Sequence, residues 1–504
     1  MTTLIRNVYI VSGGRRSLER QDVFVSGNKI SAIGSFPQRI ADEVIDAQGA
    51  YLAPGFIDIN TDSDHYLSLF SNPQQDDFLR QGVTTIIGGQ CGASLAPLLY
   101  GSLESIQKWV DINKVNTNWH LVAEFLETLE KQKLGVNFGT LVGHSTVRRA
   151  LLGESLRPLT ENEFKVFESV LEQAMLEGAF GFSTGLAYIH SFDTPEEEIK
   201  RLLQTIKKRE GVYATHLRKT GADLTESVQN TIALARGGAI PTIISHHLPL
   251  QGFEDQYRQS LEMIHEASSQ VSIYFDLYPF DVSVLPLYTF LPQWAKNGGI
   301  DVMNANISDE WLSKKILKDL PAIEGSNFTV ARAGDNHPLV GYSLTEIQEL
   351  YGLKTGAEAI LKLMQVTRLK ASIFFRNVNL GLVKEALKSS QSIVASNAAS
   401  FSEALNIKKP DRASKTFTTF LKMVEKENLM TLEEAVRKIT QLPASIYGLK
   451  DRGEVKEGFV ADLACFKEGE IKLTMVGGEV AYRDDEIRKE FPRRSGKVLR
   501  HHDR

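Results

Sequence analysis

The sequence predicts an α/β protein: a (β/α)8 TIM barrel, a small β-sandwich domain built from both termini, and a subdomain inserted between barrel strands seven and eight. Three observations predict it. Eight apolar, strand-like runs alternate with helical stretches between about residues 54 and 400. Polar residues collect where those runs end, as they do at the mouth of a barrel. Before and after this block the chain returns to short strands punctuated by glycine turns.

Composition allows this. The chain has 504 residues, 42% of them hydrophobic and 24% charged, enough for a large core in more than one domain. A net charge of -5 is small for this length and argues against a nucleic-acid partner. No run of about 18 apolar residues predicts a membrane span, and the first residues lack a signal-peptide pattern. The two cysteines, Cys91 and Cys465, make no disulfide framework, so a reducing cytoplasm is expected.

Residues 1–53 offer strands at Leu4–Ser12, Asp22–Val25, Lys29–Gly34 and Glu43–Ala47, with turns at Gly13-Gly14 and Gly27-Asn28. Phe56–Asn60 follows Pro54-Gly55 and ends in the acidic cluster Asp62-Ser63-Asp64-His65. Such a run reads as a buried parallel strand opening into a site. The other barrel strands are predicted at Gly82–Gly88, Val136–Val142, Phe180–Thr184, Val212–His216, Pro241–His246, Val271–Leu277 and Ser392–Ala395. Between them Glu161–Glu177 carries Phe164, Phe167, Val170, Leu171, Ala174 and Met175 at helical spacing, with Val166 off the stripe. Glu196–Arg209 and Leu224–Arg236 read as helices in the same way. A doubly wound open sheet is the alternative for the same pattern.

The stretch from about 285 to 385 is too long and too patterned for a loop, and helices are expected near 309–318, 345–351 and 356–366. It reads as a subdomain over the mouth, within a barrel domain of 54–444. Leu432–Gln441 is a further helix, and Ala461–Phe466, Lys472–Val476 and Glu479–Arg483 are strands. Residues 1–53 and 445–504 therefore form the β domain.

Three strand ends make a metal site. Cys91 follows strand two, His216 ends strand five and His246 ends strand six. One thiolate and two imidazoles suit a single zinc ion with a fourth position left open. Zinc lowers the pKa of a coordinated water to about 7 and polarises a carbonyl. His247 falls on the opposite face of its strand and is the weaker candidate.

Many stretches point one way together. They are Pro54-Gly55-Phe56-Ile57-Asp58, Gln81-Gly82-Val83-Thr84-Thr85 with Cys91-Gly92, Val142-Gly143-His144-Ser145-Thr146-Val147-Arg148 and Gly178–Tyr188. Further on stand Ala214-Thr215-His216-Leu217-Arg218, Ile244-Ser245-His246-His247, Tyr278-Pro279-Phe280, Arg452–Gly458 and Gly496–Arg500. Essentially end to end, the chain resembles the N-acyl-D-amino-acid deacylase (D-aminoacylase) branch of the amidohydrolases. The resemblance implies hydrolysis of a carbon–nitrogen amide bond, most simply that of an N-acyl amino acid. It implies one tightly bound zinc on Cys91, His216 and His246.

The chain also departs from that pattern. The strand-one His-x-His, which serves a second, weaker metal position, is Asn60 and Asp62. The strand-eight Asp, the family's proton carrier, is Asn397, and an amide is not a base near neutral pH. The Lys often found after the strand-six His is Leu248. Arg412 keeps the guanidinium that would pair with a substrate carboxylate. Asp62, or Asp64 beside it, is the candidate replacement base; the competing reading is a loop turn on a solvated rim. His144 and Tyr188 are candidate substrate contacts, against structural roles for both. Arg218 and Lys219 could bind an acidic group, though such residues are usually solvated. Phe290, Leu291 and Trp294 are more simply subdomain core than acyl pocket. The alternative function is a silent barrel that still binds zinc or a small ligand.

Overall fold

The computed structural model of the chain describes all residues except 101–102, 107–116, 154, 297–298, 322–324, 402–407, 488–494 and 504. Eight barrel strands are present: Phe56–Asp58, Val83–Gly88, Asn137–Thr140 continued by Val142–Gly143, Gly181–Gly185, Val212–His216, Thr242–Ile244, Ile273–Leu277 and Ser392–Val394. All neighbouring pairs are parallel. Strand three serves both neighbours by bending at Leu141: its first part pairs with strand two and its second with strand four. The ring closes through one parallel bridge, Thr61 to Ala398, between the ends of strands one and eight. The strands are short and almost wholly buried, because both faces are covered.

The helices stand where apolar spacing placed them. Glu161–Leu176 starts at Thr160, whose side chain accepts from the Glu163 backbone while Glu163 reaches back, a capping box. Phe167, Leu171, Ala174 and Met175 are buried on one face and Val166 is exposed. Glu196–Lys207 and Leu224–Gly238 pack beside it in turn around the barrel.

The strand Thr2–Ser12 lies at the centre of a ten-stranded sheet. Its first half pairs with Gln21–Ser26 and its second with Tyr51–Pro54, the switch coming after a bulge between Ile5 and Val8. Tyr51–Pro54 then pairs antiparallel with Leu463–Lys467, so N- and C-terminal segments share one sheet. Ile5, Val23, Leu52, Leu463, Cys465 and Met475 enclose a common core.

The strand Tyr51–Pro54, which the sequence reading did not include, ends one residue before the barrel strand Phe56–Asp58 begins. Pro54 has no N–H to offer a continuing ladder. At Gly55 a Cβ would lie 2.1 Å from Thr84 Oγ1. The Gly55 N–H still bonds Asp462 in the terminal sheet, and the next N–H, of Phe56, bonds Gly82 in the barrel. One residue hands the chain from one sheet to the other.

Between strands seven and eight a three-stranded antiparallel sheet, Val282–Pro286, Phe328–Ala333 and Ala371–Arg376, carries helices at Glu310–Asp319, Leu344–Tyr351 and Gly356–Thr367. It has its own apolar core, including Leu291, Phe328, Ile347, Ile360 and Ile373. Phe290 and Trp294 pack against that core. The following helix, Leu380–Leu387, buries Leu382 and Val383 in the barrel instead.

Candidate metal centre

Cys91 sits in a turn after strand two that no ordinary residue pair would form. A Cβ on Gly89 would meet the Leu141 carbonyl oxygen at 2.1 Å, and one on Gly92 the Gly185 nitrogen at 2.6 Å. Both glycines have positive φ, and Cys91 between them has φ 53. His246 has φ 38 and Asn397 φ 46, so three of the chain's left-handed non-glycine residues meet at the barrel mouth, where such strain can serve a site. His216 ends its strand in ordinary geometry.

These elements bring Cys91, His216 and His246 together, one ligand atom from each lying within 4.8 Å of the others. Cys91 Sγ is 3.4 Å from His246 Nε2, and the two imidazole rings are 4.3 Å apart, edge to face. Two ligands roughly 2.3 and 2.0 Å from one tetrahedral ion would themselves lie roughly 3.5 Å apart. The residues therefore fit zinc in both chemistry and spacing. Burial, then the Arg412 charge, pushes His246 down to about 4, so its ring is neutral and can give a lone pair. The His246 backbone N–H donates to Asp276 Oδ1 at 2.8 Å, which fixes the loop.

His247 turns the other way. It bonds Ser260 Oγ at 2.9 Å and stacks on Tyr257, and burial pushes it down to about 3.

The position of the strand-one His-x-His is closed by amides. Asn60 Nδ2 donates to both oxygens of Asp276, at 3.3 and 3.1 Å, and Asn60 Oδ1 accepts from Asn397 Nδ2 at 3.2 Å. Asp276 is pushed up to about 7, by burial. Below this chain Asp58 accepts from the backbone of Ser396 and Asn60, and burial pushes it up to about 7 as well.

Asp62 is buried, and one of its oxygens bonds His65 Nδ1 at 3.0 Å. Burial alone would raise its carboxyl. The bond to His65, with the charges of His65, Arg412 and His246, outweighs that and holds it below the usual range. Asp64 faces inward instead, accepting from the Gly89 N–H at 2.6 Å, and so braces the Cys91 turn. The rim-loop reading fails for both acids: neither is solvated.

Tyr188 lies 5.0 Å from the His216 ring and near Cys91, Asp62 and Tyr288. Burial first, then the Cys91 thiolate, raises its hydroxyl far above the usual range, so it stays a donor. Tyr288 comes from the inserted subdomain, which therefore reaches the barrel mouth. Arg412 opens the helix Asp411–Glu427 and lies over the Tyr278 ring at 4.8 Å, 8% exposed. Among the described residues no carboxylate pairs with it at salt-bridge distance.

His144 is elsewhere. It is fully buried between Phe167 and Phe182, donates from Nε2 to Glu198 Oε1 at 2.8 Å and accepts from Ser191 at Nδ1 at 3.5 Å. Arg148 bonds the same Glu198 oxygen at 3.1 Å. That arrangement leaves His144 no nitrogen for a substrate. Arg218 is likewise spent, on the carbonyls of Ser191, Phe192 and Thr194, and Lys219 pairs with Asp223 and Glu226 at the surface. Sequence reasoning missed His65, Asp276, Glu198 and Tyr288. An acid inside an otherwise apolar strand, Ile273-Tyr274-Phe275-Asp276-Leu277, was a signal available for Asp276.

Comparison with known proteins agrees. N-acyl-D-aspartate deacylase of Alcaligenes xylosoxydans xylosoxydans is 29% identical over 476 residues, covering 94% of this chain and 86% of that protein. The crystal structure of N-acyl-D-glutamate deacylase from Bordetella bronchiseptica, complexed with zinc and a phosphonate mimic of the tetrahedral intermediate, superposes with a TM-score of 0.82. It is 24% identical, with 99% of each chain covered. A D-aminoacylase crystal structure superposes at TM-score 0.81 and 24% identity, again over 99% of each chain. These likenesses carry the fold. The profile of the amidohydrolase family matches residues 110–481, more than half the chain. With a closed barrel, a thiolate–imidazole trio at its mouth and that match, this chain belongs to the amidohydrolase family.

Proposed function

We propose that the protein hydrolyses the amide of an N-acyl amino acid, using one zinc ion held by Cys91, His216 and His246. The observation that carries this is the trio of ligand atoms within 4.8 Å, faced by a buried guanidinium and a buried carboxylate. When bound, zinc supplies Lewis acidity, polarising the acyl carbonyl and acidifying water. The chain's own residues do the rest. Arg412 holds the substrate carboxylate, a bond strengthened by burial. Asp62 takes the proton of the attacking water and returns it to the departing nitrogen, giving a free amine and a carboxylic acid. Tyr188, kept protonated, donates to the developing oxyanion. The D-amino-acid relatives make N-acyl-D-amino acids the first substrates to test.

A single ion is proposed because Asn60 is already committed to Asp276 and Asn397. No helix among the described residues is long and apolar enough to cross a membrane. Neither Cys91 nor Cys465 forms a disulfide, as suits a reducing compartment, and on that ground we place the protein in the cytoplasm.

The test is zinc content per chain after dialysis against a mild chelator, with amine release from a panel of N-acyl-D-amino acids. Close to one zinc in wild type, lost in Cys91→Ala, with turnover of a panel member, is expected. Absence of zinc, or metal-loaded protein that turns over no N-acyl amino acid, overturns the proposal. Asn397 at the end of strand eight favours one rival, a silent zinc-binding barrel. That reading predicts zinc without turnover, and activity on combining Asn60→His, Asp62→His and Asn397→Asp.

A further inference from the structure

We propose that His65 is a positioning residue, an imidazolium locked between the Asp62 carboxylate and the Ala93 carbonyl that aims Asp62 at the metal centre. The role rests on the proposed hydrolysis; the ion pair does not.

The geometry demands the proton. His65 is fully buried, with Nδ1 3.0 Å from Asp62 Oδ1 and Nε2 3.0 Å from the Ala93 carbonyl oxygen. A carbonyl can only accept, so Nε2 must donate. With an ionised Asp62 at Nδ1, that nitrogen must donate too, and a ring that donates twice is a cation. Asp64 Oδ1 adds a second negative charge 3.9 Å from Nε2. Burial by itself would strip the ring of its proton, but Asp64 and Asp62 outweigh it and raise His65 above its ordinary value.

Several charged and titratable groups among the described residues surround the pair. Asp62 faces His65, Arg412, His246, Asp64, Tyr66 and Tyr188, and His65 faces Asp62 and Asp64. The two cations nearest Asp62, His65 and Arg412, differ in task. Arg412 sits with Tyr278 on the substrate side. His65 sits behind, tying the loop after strand one to the loop that carries Cys91, through Ala93. It occupies one Asp62 oxygen and leaves the other for the reaction. Asp62 and His65 thereby replace, in a different part of the ring, the acid that strand eight lacks at Asn397. The proton balance is closed: the proton taken from water by Asp62 leaves with the amine, and His65 keeps its own throughout.

The first test needs no turnover. Ring-nitrogen NMR of the zinc-loaded protein, with His65 assigned by its loss in His65→Gln, reads both nitrogens directly. Both protonated at pH 8 is expected; one unprotonated nitrogen overturns the ion pair. The second test is kinetic. His65→Gln keeps one donor but loses the charge. We expect kcat to fall about 10- to 100-fold, the usual range for outer partners of a site. We expect KM little changed and the acid limb of the pH–rate profile moved to higher pH. His65→Ala should lose more than His65→Gln. Zinc content and thermal midpoint of His65→Gln, read beside wild type, separate a folding defect from this effect. Unchanged kcat and acid limb in a folded, zinc-loaded His65→Gln overturns the positioning role. Wild-type protein without turnover but with a doubly protonated His65 would sink the hydrolase reading and leave the pair standing.

Discussion

His65 and His144 are both fully buried imidazoles beside a carboxylate, yet their proton affinities shift in opposite directions. At His144 burial dominates, and the nearby Arg148 and Arg218 help push its proton off, although Glu198 opposes them. At His65 burial acts in the same direction, but the two acids Asp64 and Asp62 outweigh it. Neither outcome can be read from spacing, because each depends on residues far away in sequence, such as Glu198 and Ala93. Cys91, His216 and His246 were legible because each stands at or just past the end of a strand, and strand ends converge in a barrel. Asp58 offers a test at this scale. Its folded pKa is raised to about 7 by burial, so it favours the folded state when protonated and that contribution is lost as pH rises through 7. Asp58→Asn should flatten the stability profile between pH 4 and 8, measured by urea unfolding. Asn397→Asp should cost about 1–3 kcal/mol at pH 7, because it turns a donor to Asn60 into an acceptor. Unfolding at pH 5, where the new acid is more protonated, should show a smaller loss.

The elements were the most legible part. Apolar runs of four to eight residues between helical stretches gave the eight barrel strands, since burial on both faces leaves no other composition. The ends were less readable. The strand Tyr51–Pro54 went unread beside Pro54-Gly55, and strand three, expected as one run, bends at Leu141, because the neighbouring strands dictate where pairing stops. The tight turn after strand two is the element on which the metal centre depends. Gly89→Ala puts a Cβ 2.1 Å from the Leu141 oxygen at φ 72. The turn must move, at a cost of roughly 1–3 kcal/mol, and carry Cys91 with it. Zinc retained after chelator dialysis should fall well below the wild-type value, with most of the secondary structure, read by circular dichroism, intact.

At the scale of the whole molecule, the terminal sheet and the barrel are welded by aromatic contact. Phe466 lies in the sheet and packs on Tyr51 and on Phe56, the first barrel residue, which stacks in turn on Phe417. Phe466→Ala should cost about 3–5 kcal/mol. The loss should show equally in probes of barrel and sheet, as a single shifted transition in denaturant. Separate transitions would show that the two parts unfold independently. The inserted subdomain, with its separate core, is the part expected to respond least.

The pairing of Tyr51–Pro54 with Leu463–Lys467 also has a consequence in time. During synthesis the first strand is complete roughly 400 residues before its partner exists. At about 5–20 residues per second, that is a wait of roughly 20–80 seconds. Over that interval one edge of the young N-terminal sheet, with its unpaired backbone groups and apolar face, stands open to any other nascent chain. Such an edge invites misassembly, so yield in a cell should rise more with chaperone supply or slower initiation than with any change to the finished molecule.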